Sequence, residues 1–266
     1  MEYIILRNNL KMPLIGFGTA RLEGDECYMA VSNAIKVGYR HFDTADMYNN
    51  EADVGKAIYD SKIPRNEFFI TTKLYHKTNT YELALEQINK SLENLKVDYI
   101  DLMLIHEPFI GDDKVYNAII EEYKKGRIKA IGVSNFNIEY LEEFMNKVEI
   151  IPMINQVECH PYFQELKLLE HMKKYGIVME SYSPFTASVK DIDNDKVLLE
   201  ISKNHNRSIR QIILRYFIEK EIPCIPKTSK IERMKENFDV FSFKLSNEEI
   251  KRIEGLDLNI SLFGWN

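Results

Sequence analysis

Hydrophobic positions along this chain follow two alternating periods. Short runs rich in β-branched and aromatic residues predict strands: LIGFGT at 14–19, HFDT at 41–44, FFITTK at 68–73, YIDLMLIH at 99–106, IKAIGVS at 128–134, MINQVE at 153–158, IVMESYS at 177–183 and PCIPK at 223–227. Between them the spacing turns helical. Residues 25–36 place Met29, Ala30, Ala34 and Ile35 on one face, and residues 80–95 carry Tyr81, Leu85, Ile88, Leu92 and Leu95 as a stripe. Helices are likewise expected over 51–60, after Asp112-Asp113, over 138–148 and 164–174, and across 195–220. Acidic Asp112 and Asp113 suit the positive end of a helix. Ser229-x-x-Glu232 and Ser246-x-x-Glu249 read as capping boxes that open two final helices. The first residues, 3–6 and 11–12 around Asn8-Asn9, predict a hairpin.

Strands that alternate with helices pair in parallel. Eight such units within 266 residues fit a (β/α)8 barrel with an N-terminal β-hairpin and extra helices near the C-terminus. The competing architecture is a doubly wound sheet. It usually carries G-x-G-x-x-G after an early strand, and Gly16-Phe17-Gly18 lacks the third glycine. No linker or low-complexity block interrupts the mixture, so residues 1–266 are expected to form one domain.

The totals narrow the function classes. A net charge of −6 argues against a nucleic-acid partner. Cys27, Cys159 and Cys224 are scattered and form no C-x-x-C pair, which suggests neither a disulfide framework nor a thiolate zinc site and fits a reducing cytoplasm. The N-terminus lacks a basic leader followed by an apolar core, so no signal peptide is expected. No apolar run approaches membrane-spanning length, so no membrane partner is expected either.

Barrel enzymes work at the C-terminal ends of their strands. Here those ends read Thr19, Asp43, Lys73, His106, Ser134-Asn135, Gln156, Tyr182 and Lys227, nearly all polar. Carbonyl reduction needs a hydride donor and a proton donor for the developing alkoxide. A free tyrosine, with a pKa of about 10, is a weak acid at neutral pH, and a nearby ammonium lowers that value. Tyr48 is the candidate donor, Lys73 the ammonium, Asp43 its counter-charge and His106 the group that orients the carbonyl. Each has an ordinary structural reading alone: a turn-closing Asp, a solvated Lys, a packing Tyr, a satisfied His. His41, inside an apolar run, and His160, before Pro161, read as structural.

An anionic dinucleotide needs donors and positive charge. Lys227, Thr228, Ser229, Lys230 and Arg233 surround a predicted helix start, where free N–H groups favour phosphate; a solvated basic face is the ordinary alternative.

Three ordered motifs resemble the aldo-keto reductases, in their bacterial-type short-tailed NADPH-dependent form: GYRHFDTADMYNNEADVG at 38–55, GRIKAIGVSNF at 126–136 and IPKTSKIERMKEN at 225–237. The resemblance runs from GFGT at 16–19 to the final helix. It implies a catalytic tetrad of Tyr48, Asp43, Lys73 and His106. It implies NADPH rather than NADH, with the adenosine phosphate on Lys227, Thr228 and Arg233 and the adenine on Glu236 and Asn237. Ser134, Asn135 and Gln156 would hold the nicotinamide amide, and Tyr182 would stack on its ring. Thr19, Asp43, Ser183 and Ser229 complete the expected cofactor-binding set. The substrate would be a small carbonyl compound, no metal would be needed, and the protein would be a monomer or loose dimer.

Some positions depart from the resemblance. Glu107 and Ala20 stand where tryptophans are common, so the substrate pocket, lined by Tyr48, His106, Glu107 and Ala20, is expected to be wider and more polar; Glu107 turned outward is the alternative. Phe185-Thr186 replaces the usual Leu-Gly after Pro184. The tail is short, so no long substrate-covering loop is expected; Trp265 either folds over the pocket mouth or is a free end. Two rival functions remain. One is a metal-dependent barrel isomerase or hydrolase using Asp43, Glu158, His160 and His106. The other is a non-catalytic NADPH-sensing subunit.

Overall fold

The computed structural model describes residues 2–264. Trp265, considered above as a cover for the pocket, lies outside the described residues. Seven strands follow one another in chain order within one parallel sheet: β3 (Phe17–Gly18), β4 (His41–Asp43), β5 (Phe69–Leu74), β6 (Ile100–Ile105), β7 (Ile128–Ser134), β8 (Ile154–Glu158) and β9 (Val178–Tyr182). Every residue of β5 and β6 is buried, as expected when helices cover one face and the barrel interior the other.

The eighth segment closes the ring without forming a regular strand. Ser181 N donates to Pro223 O at 2.8 Å and Ile225 N to Ser181 O at 3.1 Å on one side. On the other, Cys224 N donates to Leu14 O at 3.0 Å and Gly16 N to Cys224 O at 2.8 Å. The strand expected at 223–227 is therefore reduced to bridges at Cys224, because Pro223 and Pro226 have no N–H to give to a ladder. The barrel architecture holds, and the doubly wound alternative does not.

Helices fill the crossovers: α1 (Gly24–Val37), α2 (Glu51–Asp60), α3 (Tyr81–Leu95), α4 (Asp112–Lys124), α5 (Ile138–Met145) and α6 (Leu166–Lys173). Then come α7 (Lys196–His205), α8 (Ile209–Glu219), α9 (Ile231–Phe238) and α10 (Asn247–Glu254). The capping box at Ser246 forms with Glu249. The one expected at Ser229 does not: α9 starts after Lys230, which makes no side-chain cap. Thr228 Oγ1 instead accepts from Lys230 N at 3.1 Å, a local turn that moves the helix start by one residue. A box not among those expected, Ser208 with Gln211, opens α8. Helix α5 ends at Met145, short of the expected 148.

The expected hairpin pairs β1 (Tyr3–Ile5) with β2 (Lys11–Pro13), Ile4 opposite Met12. Arg7 bonds the Ile151 carbonyl, and Asn8 Nδ2 donates to Lys129 O at 2.8 Å. These anchors lie near the starts of β7 and β8, so the hairpin caps the N-terminal end of the barrel and leaves the C-terminal end open for chemistry.

Gly55 shows how tightly the outer layer packs. A Cβ there would lie 2.5 Å from the backbone of Leu95, where α2 meets the end of α3. Backbone cannot rotate away as a side chain can. Gly55→Ala is expected to destabilise the protein by roughly 1–3 kcal/mol, the usual range for overpacking, measured as a lower urea midpoint. An unchanged midpoint would show that α2 can shift freely.

Candidate active site

The strand ends converge as the sequence implies, around one buried ion pair. Lys73, near the end of β5, is 1% exposed, and its Nζ donates to Asp43 Oδ1 at 2.6 Å and to Thr44 O at 3.0 Å. Asp43, at the end of β4, is 2% exposed. Burial works against the Lys73 charge, but Asp43 and the Tyr48 hydroxyl outweigh it, and the ammonium sits above its usual range. Breaking such a pair by removing one partner typically costs about 3–5 kcal/mol.

Tyr48 follows β4 in a short 3-10 turn, Asp46–Tyr48, whose left-handed exit at Asn49 (φ 54°) directs the chain into α2. Lys73 Nζ lies 5.3 Å from the Tyr48 ring centroid. The sequence expectation was a lowered tyrosine pKa. The net direction is the reverse: burial raises the Tyr48 hydroxyl above its usual value, Lys73 pulls it down by charge and hydrogen bond, and Asp43 pushes it up. Lys73 thus offsets part of the burial effect without reversing it.

His106, just beyond β6, places its ring 5.6 Å from that of Tyr48, edge to face. Its backbone is fixed on both sides: His106 N donates to Leu74 O at 2.9 Å, and Asn135 Nδ2 donates to His106 O at 3.1 Å. Burial, then the charges of Lys73 and His76, push the imidazole down to about 3. The ring is therefore neutral at physiological pH, and its buried Nδ1 has no partner among the described residues.

Next to this group lies a polar shelf. Ser134 Oγ donates to Gln156 O at 2.7 Å, and Tyr182 Oη donates to Asn135 Oδ1 at 2.9 Å. Asn135 and Ser183 both take left-handed backbone angles, φ 63° and 52°, which turn the chain away at the ends of β7 and β9. Such strain in non-glycine residues clusters at functional sites. Gln156 Nε2 donates to Asp43 Oδ2 at 2.8 Å, joining the shelf to the ion pair. Thr19 is committed to β4, its Oγ1 donating to Asp43 O at 2.9 Å.

The basic set lies across the rim, beyond Gly18. A Cβ on Gly18 would come within 2.7 Å of Ile225 O and 3.8 Å of Lys227 Cβ, so β3 and the closing segment nearly touch. Lys227, Ser229 and Arg233 are exposed, while Thr228 and Asn237 are buried and Glu236 half-buried. Among the described residues neither Lys227 nor Arg233 has an ion-pair partner. Asn237 Oδ1 is buried with no hydrogen-bond donor among the described residues. Unpaired cations beside a helix start and an orphaned acceptor within it match what a nucleotide with an extra phosphate and an amino group requires.

Of the positions expected to line the substrate pocket, Ala20 is half-buried and Glu107 pairs with His76, a contact that sequence spacing could not signal. The tail is short, as the sequence indicates. It lies on the barrel mouth: Ser261 Oγ donates to Glu158 Oε2 at 2.6 Å, Leu262 N donates to Glu158 Oε1 at 2.8 Å, and the Phe263 ring lies 6.0 Å from that of Tyr182. Glu158 also bonds His160 Nε2 at 3.0 Å. Glu158, one residue of the metal-site rival, thus seats the tail and bonds His160, a second, and no group of three His, Cys, Asp or Glu side chains among the described residues could hold a metal ion. His41 and His160 are buried structural residues, as expected.

Comparison with known proteins agrees with this geometry. The sequence profile described as the Aldo/keto reductase family matches residues 14–258. Glyoxal reductase of Bacillus subtilis (strain 168) is 43% identical over 260 residues, 96% of this chain and 93% of that protein. Methylglyoxal reductase DkgA of Escherichia coli O157:H7 is 36% identical over 257 residues, 96% of this chain and 93% of that protein. Among solved structures, the aldo-keto reductase MGS-M4 from a Medee basin deep-sea metagenome library superimposes with a TM-score of 0.96 at 44% identity, covering 98% of this chain and 97% of that one. The Bombyx mori aldo-keto reductase AKR2E4 in complex with NADP superimposes with a TM-score of 0.92 at 31% identity, covering 99% and 96%. With barrel, strand-end polar ring and sequence profile all in agreement, the chain belongs to the aldo/keto reductase family.

Proposed function

We propose that this protein reduces small polar aldehydes or ketones to alcohols with NADPH, and that Tyr48 supplies the proton. The observation that carries this reading is the convergence of Tyr48, His106 and the Lys73–Asp43 pair on one point of the barrel mouth.

NADPH, when bound, supplies the hydride that adds to the carbonyl carbon. Tyr48 Oη would give its proton to the carbonyl oxygen as the C=O bond becomes C–O–H, so hydride and proton together turn the carbonyl into a neutral alcohol and leave Tyr48 as the phenolate. Lys73 holds positive charge beside the phenolate that is left and eases proton loss in an otherwise unfavourable buried setting. Asp43 keeps Lys73 charged. His106 is neutral and half-buried, so it can offer an N–H to the carbonyl oxygen without competing for the proton.

The cofactor would be held at its adenosine end by Lys227, Thr228, Ser229, Arg233, Glu236 and Asn237. The exposed, unpaired Lys227 and Arg233 and the orphaned Asn237 Oδ1 support that placement and favour NADPH over NADH. Ser134, Asn135 and Gln156 would meet its amide, and Thr19, Asp43, Tyr182 and Ser183 would line the same groove. The Bombyx mori relative is described in complex with NADP, which agrees with this assignment.

Substrates would enter past Ala20 and the Glu107–His76 pair, polar groups suited to a hydrated aldehyde or a neighbouring hydroxyl. Two relatives, at 43% and 36% identity, are named for glyoxal and methylglyoxal reduction, which supports small, polar carbonyls as the substrate class.

Two outcomes are expected. Tyr48→Phe lowers NADPH turnover of small aldehydes by roughly 10²–10⁴, the range for losing a general acid, while NADPH still binds with unchanged fluorescence titration. Turnover equal to wild type would remove Tyr48 from the reaction. The His106 ring proton, assigned by its disappearance in His106→Asn, is expected to hold one NMR shift between about pH 5 and 8, because the imidazole ionises only near 3. A titration near the ordinary 6.5 would show a solvated, protonatable ring instead.

A further inference from the structure

Beneath the ion pair lies a second buried carboxyl that the proposed reaction does not use. Glu180, in the middle of β9, is fully buried. Gln156 bridges it to the site: the Nε2 that donates to Asp43 Oδ2 also donates to Glu180 Oε2, each at 2.8 Å. Both amide hydrogens are thereby committed, and Gln156 Oε1 remains an acceptor that no described residue fills.

Two observations bear on the charge of Glu180. The first is its other oxygen. Oε1 is buried without a hydrogen-bond partner among the described residues, and His41 Nε2 stands 3.6 Å away, beyond bonding distance. A bare carboxylate oxygen is costly to bury, and a protonated one much less so. The second is the charge around it. From β4 it faces His41 and Asp43, from β5 Lys73, and from the closing segment Cys224. His41 is pushed down to about 3 by burial, and the Cys224 thiol is pushed well up by burial, so both are neutral. Lys73 is then the one cation among these groups, and Asp43 already neutralises it at 2.6 Å. A second anion would be uncompensated.

We propose that Glu180 is a positioning residue that works in its protonated form: it holds the Gln156 amide, and through it the Asp43 carboxylate, without adding a second anion beside Lys73. Burial first, then the Asp43 charge, raise this carboxyl to about 8, against the pull of Gln156 and Lys73. Two consequences follow, of which the catalytic one rests on the reductase reading. With Nε2 committed, Gln156 Oε1 selects a ligand that brings an N–H, as a carboxamide does. Once Glu180 ionises, its negative charge disfavours the Tyr48 phenolate and slows reduction.

A carboxyl raised in the folded state stabilises the fold fully below its ordinary value of 4.5, and that contribution is lost as pH rises toward about 8. Glu180→Gln keeps shape and neutrality but cannot lose this proton. Urea midpoints of the full chain, wild type and Glu180→Gln, are measured from about pH 5 to 9. The difference is expected to move in favour of Glu180→Gln up to about pH 8 and then level off, with Glu180→Met following the same trend from a lower starting midpoint. A difference that is flat with pH, or that moves toward wild type as pH rises, would mean an ionised Glu180 paired with Lys73 and would overturn the proposal. These midpoints need no turnover, so an inactive wild type would sink the reductase reading and leave this test intact. In turnover, the wild-type rate is expected to fall as pH rises through about 8 while Glu180→Gln holds. Identical alkaline limbs would reduce Glu180 to a structural role and contradict its place in positioning the site.

Discussion

The buried pair of Lys73 and Asp43 is the constraint on which the rest of the site depends. An ammonium 1% exposed can persist only with a counter-charge and hydrogen bonds, and Asp43 Oδ1 and Thr44 O provide them. Every neighbouring feature accommodates that arrangement. Thr19 fixes the end of β4, Gln156 holds the second Asp43 oxygen, His106 stays neutral beside the positive charge, and Tyr48 ionises less reluctantly than burial alone would dictate. The barrel supplies the geometry, since strands in one parallel sheet bring their C-terminal ends to a common rim.

Much of this was legible in the sequence, for identifiable reasons. Within the runs FFITTK and YIDLMLIH every residue of β5 and β6 is buried, and strands covered on both faces read as near-continuous apolar stretches. The strand-end residues were polar where an apolar run would otherwise have continued, which marks a functional rim. What local pattern could not supply was distance across the barrel. Glu180 lies far along the chain from Asp43, and only ring closure sets them on either side of Gln156. Its signal was a lone charge inside the run IVMESYS.

Other differences have equally local causes. Two prolines turned the last strand into bridges, and a Thr228 turn displaced the start of α9. The direction of the Tyr48 shift was misjudged because a nearby ammonium is visible in sequence while the depth of burial is not. The seat of the tail is not legible in the sequence, because it is a single acidic residue, Glu158, that also bonds His160.

The central claim is that Lys73 and Tyr48 act as one proton-donating unit. The most direct measurement compares NADPH turnover in Lys73→Met, Tyr48→Phe and the double variant, with NADPH binding as the check that each remains folded. The account requires both single variants to lose most activity and the double to be no worse than the poorer single, since each removes the same unit. Losses that multiply in the double variant, or a Lys73→Met protein at wild-type rate, would contradict it.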